Sequence, residues 1–220
     1  MSHGAERERV ERVYRGYAAD DRKQRAWDAA NAGNRAIRAE LVAAVRPAVP
    51  EDGIVLDVGC GAGWWLERLA RDGVGADRLA GVELQAARAE AARRRVPGAD
   101  VRVGDGAALP WPDDAVAMVT LFTVLSSQGG EEIRRATLRE ARRVVRPGGV
   151  VAVWEPRVPT GNRETAAVRR RLLAEELGPR LDVRSLTLLP PLARRLSPAA
   201  YGRLVRLPVL RTHRLALARV

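Results

Sequence analysis

The stretch from Ile54 to Gly63, IVLDVGCGAG, constrains this chain more than any other. Three β-favouring residues, Ile54, Val55 and Leu56, run into Asp57 and then into Gly59, Gly61 and Gly63, so a short buried strand ends in a loop with almost no side chains. Glycine tolerates positive φ and lacks the Cβ that would block close approach, so a ligand in such a loop can touch backbone. The following WWLERLARDG has helical spacing at Trp65, Leu66 and Leu69, which turns the N–H groups of a helix start toward the same place. Strand, glycine loop and helix together predict a cradle for a nucleotide-like cofactor.

The spacing narrows the choice of cofactor. A dinucleotide fingerprint reads G-x-G-x-x-G, whose third glycine lets helix and strand pack around a pyrophosphate, whereas here the spacing is G-x-G-x-G and Trp64 occupies that third position. The indole argues against NAD or FAD. Downstream, DRLAGVELQAARAEAARRR reads as a second strand from Leu79 to Val82, with Glu83 at its carboxyl end and an Ala-rich helix behind it. A carboxylate at that tip can accept both hydrogens of a ribose diol. A third strand (Val101, Val103) ends in Asp105-Gly106, which places another carboxylate to meet a base amino group.

Together, LDVGCGAG, GVE at the second strand tip, GDGAALPWPDDAVAMV and LREARRVVRPGG resemble a class I S-adenosylmethionine (AdoMet) methyltransferase of the small type 11 subfamily, strongly from Ile54 to Val153 and more loosely in the flanks. The resemblance implies an α/β, Rossmann-like seven-stranded sheet of order 3-2-1-4-5-7-6, with strand seven antiparallel, flanked by helices and carrying an N-terminal helical lid. It further implies that Asp57, Gly59, Gly61 and Gly63 face the methionyl part of AdoMet. Glu83, with Leu84 beside it, would take the ribose side, Asp105 and Gly106 the adenine, and Phe122 with Thr123 the cofactor edge after strand four. S-adenosyl-L-homocysteine would be the product. Lid helices in the family cap the cofactor and line the substrate, which makes Tyr14, Tyr17, Trp27 and Asn34 lid candidates, with packing on the sheet as the alternative.

In chain order, residues 5–48 read as two helices, the second from about Arg35 to Val45 before Pro47 and Pro50. From Val55 to Val153 strands alternate with helices at short intervals, which predicts a parallel sheet. Strand four is Val116 to Leu121; the next helix opens with Glu131 and Glu132 and closes in a turn at Arg146-Pro147-Gly148-Gly149; strand five runs from Gly149 to Glu155. ETAAVRRRLLAEELG reads as a further helix ending at Gly178-Pro179, VRSLTLLPPLARRL as a strand then a proline-broken helix, and THRLALARV as a last strand. Ligands in open sheets of this kind bind beyond the carboxyl ends of the strands, where Asp57, Glu83, Asp105, Phe122, Thr123 and Glu155 should converge.

Methyl transfer from a sulfonium needs a nucleophile held in line in a site that excludes water, and a base only for a hydroxyl or a protonated amine. Many relatives place a histidine shortly after strand four; here LFTVLSSQGG holds Ser126, Ser127 and Gln128 instead. Ser126 and Gln128 are candidates to orient an acceptor or to cap the next helix, and Glu155 is a candidate base or substrate anchor. His3 falls near the terminus, and His213 reads as a strand-pairing or surface residue. Lone Cys60 reads as a small residue between glycines, and no clustered metal ligands appear in the sequence.

A chain of 220 residues, 46% hydrophobic, holds one sizeable core, so one domain is expected: lid over 1–50, cofactor core over 51–155, substrate-side helices and hairpin over 156–220. The absence of an 18-residue apolar run and the charged start MSHGAERERV predict a soluble cytoplasmic protein, monomeric or homodimeric. The charge balance is +3 over residues 1–50, −1 over 51–150 and +9 over 151–220. The basic last third fits a solvated face or an anionic partner such as a phosphorylated substrate, nucleic acid or a membrane surface. Three functions follow: methylation of an O or N of a small molecule, such as a natural product, sugar or glycan intermediate; an RNA or protein methyltransferase; or a non-catalytic AdoMet-binding partner protein.

Overall fold

The structure, a computed structural model, describes Arg12 and residues 30–159 and 165–220. Tyr14, Tyr17, Trp27 and His3 lie outside the described residues. Seven strands form one sheet of order β3-β2-β1-β4-β5-β7-β6: β1 (Val55–Val58), β2 (Leu79–Glu83), β3 (Asp100–Val103), β4 (Val116–Phe122), β5 (Val145–Pro156), β6 (Leu181–Leu188) and β7 (Arg211–Arg219). The first five are parallel, and β7 runs antiparallel to both β5 and β6. The expected order and the reversed last strand are both present.

Alternation along the central strands builds two cores. On one face, Val55, Leu79, Met118, Ala152 and Leu215 pack against α1 (Ala32–Val45), α2 (Trp64–Arg71) and α3 (Ala86–Arg95). On the other, Leu56, Val82, Val119, Leu121 and Val153 pack against α4 (Glu131–Val144) and α5 (Arg170–Leu177). Strands covered on both sides read as continuous apolar runs, as VLDV and VAMVTLF do.

Three expectations are corrected. Strand five begins at Val145, directly after α4, so Arg146 to Gly149 form an irregularity inside the strand pairing and not a turn before it. The helix expected over 164–178 spans only Arg170–Leu177. Upstream of it, Ala166 N–H donates to Ser126 C=O and Val168 N–H to Pro156 C=O, each at 2.8 Å, so these backbone donors serve the neighbouring loop and strand. His213 pairs in β7 with Pro156 and Leu186, the first of its two expected placements, and is buried and not at the surface, stacked on Trp154 with ring centroids 4.6 Å apart.

Helix α1 starts at Ala32 because the Asn31 side chain accepts from the N–H groups of Gly33 (2.9 Å) and Asn34 (3.1 Å). Its first turn sits on α6 (Pro190–Ala193): a Cβ on Gly33 would lie 2.1 Å from Ala193 C=O. Further along α1, Glu40 accepts from Thr187 N–H (3.0 Å), Thr187 Oγ1 (3.2 Å) and Tyr201 Oη (2.6 Å), Tyr201 lying in α7 (Pro198–Leu204). Thr187 sits at φ +63° near the end of β6, and this carboxylate holds it there. The N-terminal helix and the β6–β7 connection are thereby tied together beside the carboxyl end of the sheet.

Candidate active site

Gly59, Gly61 and Gly63 all adopt positive φ (+68°, +56° and +78°), the conformation their sequence positions predicted. The loop they form hangs on β2: Gly59 and Cys60 N–H donate to Val82 C=O at 2.8 and 3.1 Å. Glu83 completes the attachment, Oε2 accepting from Gly61 N–H at 2.9 Å and Oε1 from Gln85 N–H at 3.0 Å. A buried carboxylate at the tip of β2 thus sets the shape of the glycine loop. Leu84 follows it, half-buried. Above the loop, the guanidinium of Arg88 lies 2.5 Å from where a Cβ of Gly61 would be, so Arg88 borders the cradle, a residue that reading the sequence did not single out.

Asp57, at the end of β1, is buried and accepts from Thr120 Oγ1 at 2.6 Å. Burial pushes its carboxyl up to about 7, with Thr120 pulling down and the Glu83 charge pushing up. A positively charged ligand group beside it would favour its ionised form. On the far side, Asp105 Oδ1 accepts from Ala107 N–H at 2.9 Å, shaping the turn that holds Gly106. A Cβ on Gly106 would approach Val58 Cγ1 to 2.8 Å. Asp57, the three loop glycines, Glu83, Asp105 and Gly106 all lie at the carboxyl ends of β1, β2 and β3, as expected.

The tips of β4 and β5 face that group. Phe122 packs edge-on to Trp65 (5.4 Å) and Trp154 (6.5 Å) and tilted to Trp64 (6.4 Å), and Trp154 stacks on His213. An aromatic chain therefore runs from the glycine loop to β7. Burial holds the His213 imidazole down at about 4, so it is neutral at physiological pH, and its Nδ1 lies 3.0 Å from Thr212 Oγ1. The Trp154 indole N–H has no hydrogen-bond partner among the described residues. Reading the sequence missed Trp154 and His213 as a pair, because β7 brings them together from 59 positions apart; the available signal was a tryptophan one residue before the end of a predicted strand.

Thr123 turns the chain at φ +59°, its N–H donating to Trp154 C=O at 2.9 Å. Ser126 and Gln128 follow in the same loop, but Gln128 Nε2 donates to Thr137 Oγ1 at 2.7 Å, which turns it toward α4. Glu155 is fully buried, with Oε1 accepting from Leu125 N–H (2.7 Å) and Oε2 from Ser126 N–H (3.1 Å). Its carboxyl is pushed up to about 7 by burial, opposed by the Ser126 and Leu125 hydrogen bonds. Both oxygens hold the loop after β4. Of the lid candidates, Asn34 is described: it is buried in the first turn of α1, whose Arg38 places its guanidinium 5.2 Å from the Trp64 ring centre. Among the described residues no group of His, Cys, Asp and Glu is arranged to hold a metal ion.

This geometry defines an α/β protein whose glycine loop and three strand-tip carboxylates gather at the carboxyl edge of the sheet. Residues 55–149 match the family of methyltransferase domains. A dTDP-4-amino-2,3,4,6-tetradeoxy-D-glucose N,N-dimethyltransferase of Saccharopolyspora spinosa is 39% identical over 119 residues, 53% of this chain and 45% of that protein. A solved SAM-dependent methyltransferase of Thermotoga maritima superposes with a TM-score of 0.65 at 20% identity, covering 85% of this chain and 90% of that one. Phosphoethanolamine N-methyltransferase 1 of Haemonchus contortus superposes with a TM-score of 0.69 at 16% identity, over all of this chain and 50% of that one. The chain spans less than half the length of the curated relatives it matches. The glycine-loop core is thus similar to methyltransferase domains, whose cofactor is S-adenosyl-L-methionine, and the sheet shares the fold of the solved SAM-dependent methyltransferase.

Proposed function

We propose that this chain transfers a methyl group from AdoMet to a nitrogen or oxygen of a small molecule, a sugar or natural-product intermediate, with an amine as the favoured acceptor. The observation that carries the reading is the Glu83 carboxylate bonded to the Gly61 and Gln85 N–H groups, which fixes the glycine loop and offers acceptors to a ribose diol. The backbone of Gly61 bared of a Cβ, the buried Asp57 carboxyl and the Asp105-Gly106 turn fit the methionyl and adenine ends of the same cofactor. When bound, AdoMet supplies an electrophilic methyl on a sulfonium. The chain's own part is to bind, orient and exclude water.

The choice of acceptor follows from the groups that remain. Glu155 holds the loop after β4 through both oxygens and Gln128 is turned to Thr137, so each already serves the structure of that loop. A neutral amine brings its own lone pair and needs only positioning. The relative from S. spinosa, named for dimethylation of an aminosugar nucleotide, supports the same class of acceptor. Ser126, buried beside this loop, is left as the group to orient the acceptor.

The test is labelled methyl transfer from AdoMet into an extract of source cells lacking the gene, separated into metabolite, glycan-lipid, RNA and protein fractions. Label in an amine of the metabolite fraction is expected. Label confined to RNA or protein would replace this reading with the macromolecular one, and AdoMet binding without label anywhere would leave a non-catalytic binding protein.

A further inference from the structure

We infer that the connection between β6 and β7 is a docking surface for an anionic lipid bilayer, with Leu207, Pro208 and Val209 as the part that enters it. The residues from Val183 to Val220 carry eight arginines and no acidic residue. Several arginines elsewhere are engaged: Arg135 bridges Glu131, Glu175 and Glu176, Arg139 meets Glu176, and Arg143 meets Asp113 and Glu140. On the connection, Arg195, Arg203 and Arg206 are exposed, and no ion pair among the described residues reaches them. Their charge is uncompensated by neighbours.

Exposed apolar side chains lie on the same connection. Of the four large hydrophobic residues exposed among the described residues, three, Leu192, Leu207 and Val209, lie on this connection, and Val209 is 83% exposed. Leu207 and Val209 flank Pro208 in a single tight turn, with Arg203 and Arg206 directly before them. An apolar tip behind a row of guanidiniums matches a bilayer with anionic headgroups, where arginines stay at the phosphates and the tip reaches the acyl boundary. Nucleic acid fits less well: the phosphates would leave Val209 in water, and Tyr201, the aromatic residue of the connection, is buried with its hydroxyl on Glu40, so no stacking platform faces out. Because Leu188 pairs with Arg211, the connection leaves and re-enters the sheet at the end that bears the active site. A docked molecule would hold that end toward the membrane.

The experiment is co-sedimentation of the full chain with vesicles of phosphatidylcholine alone and of phosphatidylcholine doped with phosphatidylglycerol, at low and high salt. Binding to the anionic vesicles only, weakening as salt rises, is expected. Arg203→Gln with Arg206→Gln should weaken partitioning roughly 25-fold, about fivefold for each basic residue near the surface. Val209→Ser should weaken it roughly tenfold, through the lost apolar burial. Both variants change exposed side chains, and an unshifted melting temperature checks that they fold. Equal binding to both vesicle types, no binding to either, or binding indifferent to Val209 would overturn the inference. So would tighter binding to tRNA or poly-glutamate than to the anionic vesicles. No acceptor or methyl transfer enters the measurement, so its outcome is independent of the catalytic reading.

Discussion

Glu155→Gln distinguishes a carboxylate that holds a loop from one that moves a proton. In the folded chain Glu155 accepts from Leu125 N–H at 2.7 Å and Ser126 N–H at 3.1 Å. Glutamine keeps the shape and one acceptor but turns its NH2 toward the second backbone N–H, leaving a buried donor unpaired at a cost of about 1–3 kcal/mol. The wild type carries a different cost. Its carboxyl is raised from 4.5 to about 7 by burial, so its contribution to stability is fully present below 4.5 and is lost as pH rises through about 7. At 1.36 kcal/mol per pKa unit that loss is about 3 kcal/mol at most. The two effects oppose each other only at high pH. The variant should therefore be clearly less stable than wild type near pH 5, and the difference should shrink by about 2–3 kcal/mol by pH 8. Urea unfolding at both pH values measures it, with AdoMet titration in parallel to confirm that the glycine loop is undisturbed. A difference constant across that range would refute the account of a buried, titrating carboxylate. Unchanged stability at both pH values together with abolished methyl transfer would make Glu155 the catalytic base.

Three further outcomes are expected. Glu83→Ala removes the acceptor of the Gly61 and Gln85 N–H groups and a charge-assisted partner of the ribose, so calorimetric AdoMet affinity should fall at least roughly tenfold, from about 1.5–3 kcal/mol per bond; unchanged affinity would remove Glu83 from the site. Gly61→Ala places a Cβ at φ +56° beside the mobile end of Arg88, so melting should report a loss of only about 1 kcal/mol while cofactor binding falls much further; a parallel loss of both would mean the loop serves folding alone. Gly33→Ala drives a Cβ to 2.1 Å from Ala193 C=O, a backbone atom that cannot swing aside, and should cost about 1–3 kcal/mol in denaturant unfolding. An unaltered midpoint would show that α1 does not rest on α6.

The sheet and the glycine loop with its neighbouring strand tips were legible because they are local. A strand, a turn of glycines and the helix behind it occupy twenty consecutive residues, and the period of the apolar positions reports each element directly. Each carboxylate at a strand tip, Asp57, Glu83 and Asp105, announces itself by ending a β-favouring run. The acceptor side was not legible in the same way. Glu155 ends a run of the same kind, yet its oxygens are consumed by Leu125 and Ser126 N–H groups from 29 and 30 positions away. Nothing in the run VVAVWEP reports that.

The sequence by itself determined the order of strands and helices, the glycine loop, the unlike dinucleotide spacing and the uneven charge, since each rests on neighbours along the chain. Only the tertiary structure decided which charges matter. It paired the arginines of α4 with the carboxylates of α5 and left Arg195, Arg203 and Arg206 of the β6–β7 connection without an ion pair among the described residues. It also buried His213 against Trp154, where the low polarity around the ring keeps it neutral. Ion pairing and desolvation depend on distance in space, and the antiparallel return of β7 sets those distances.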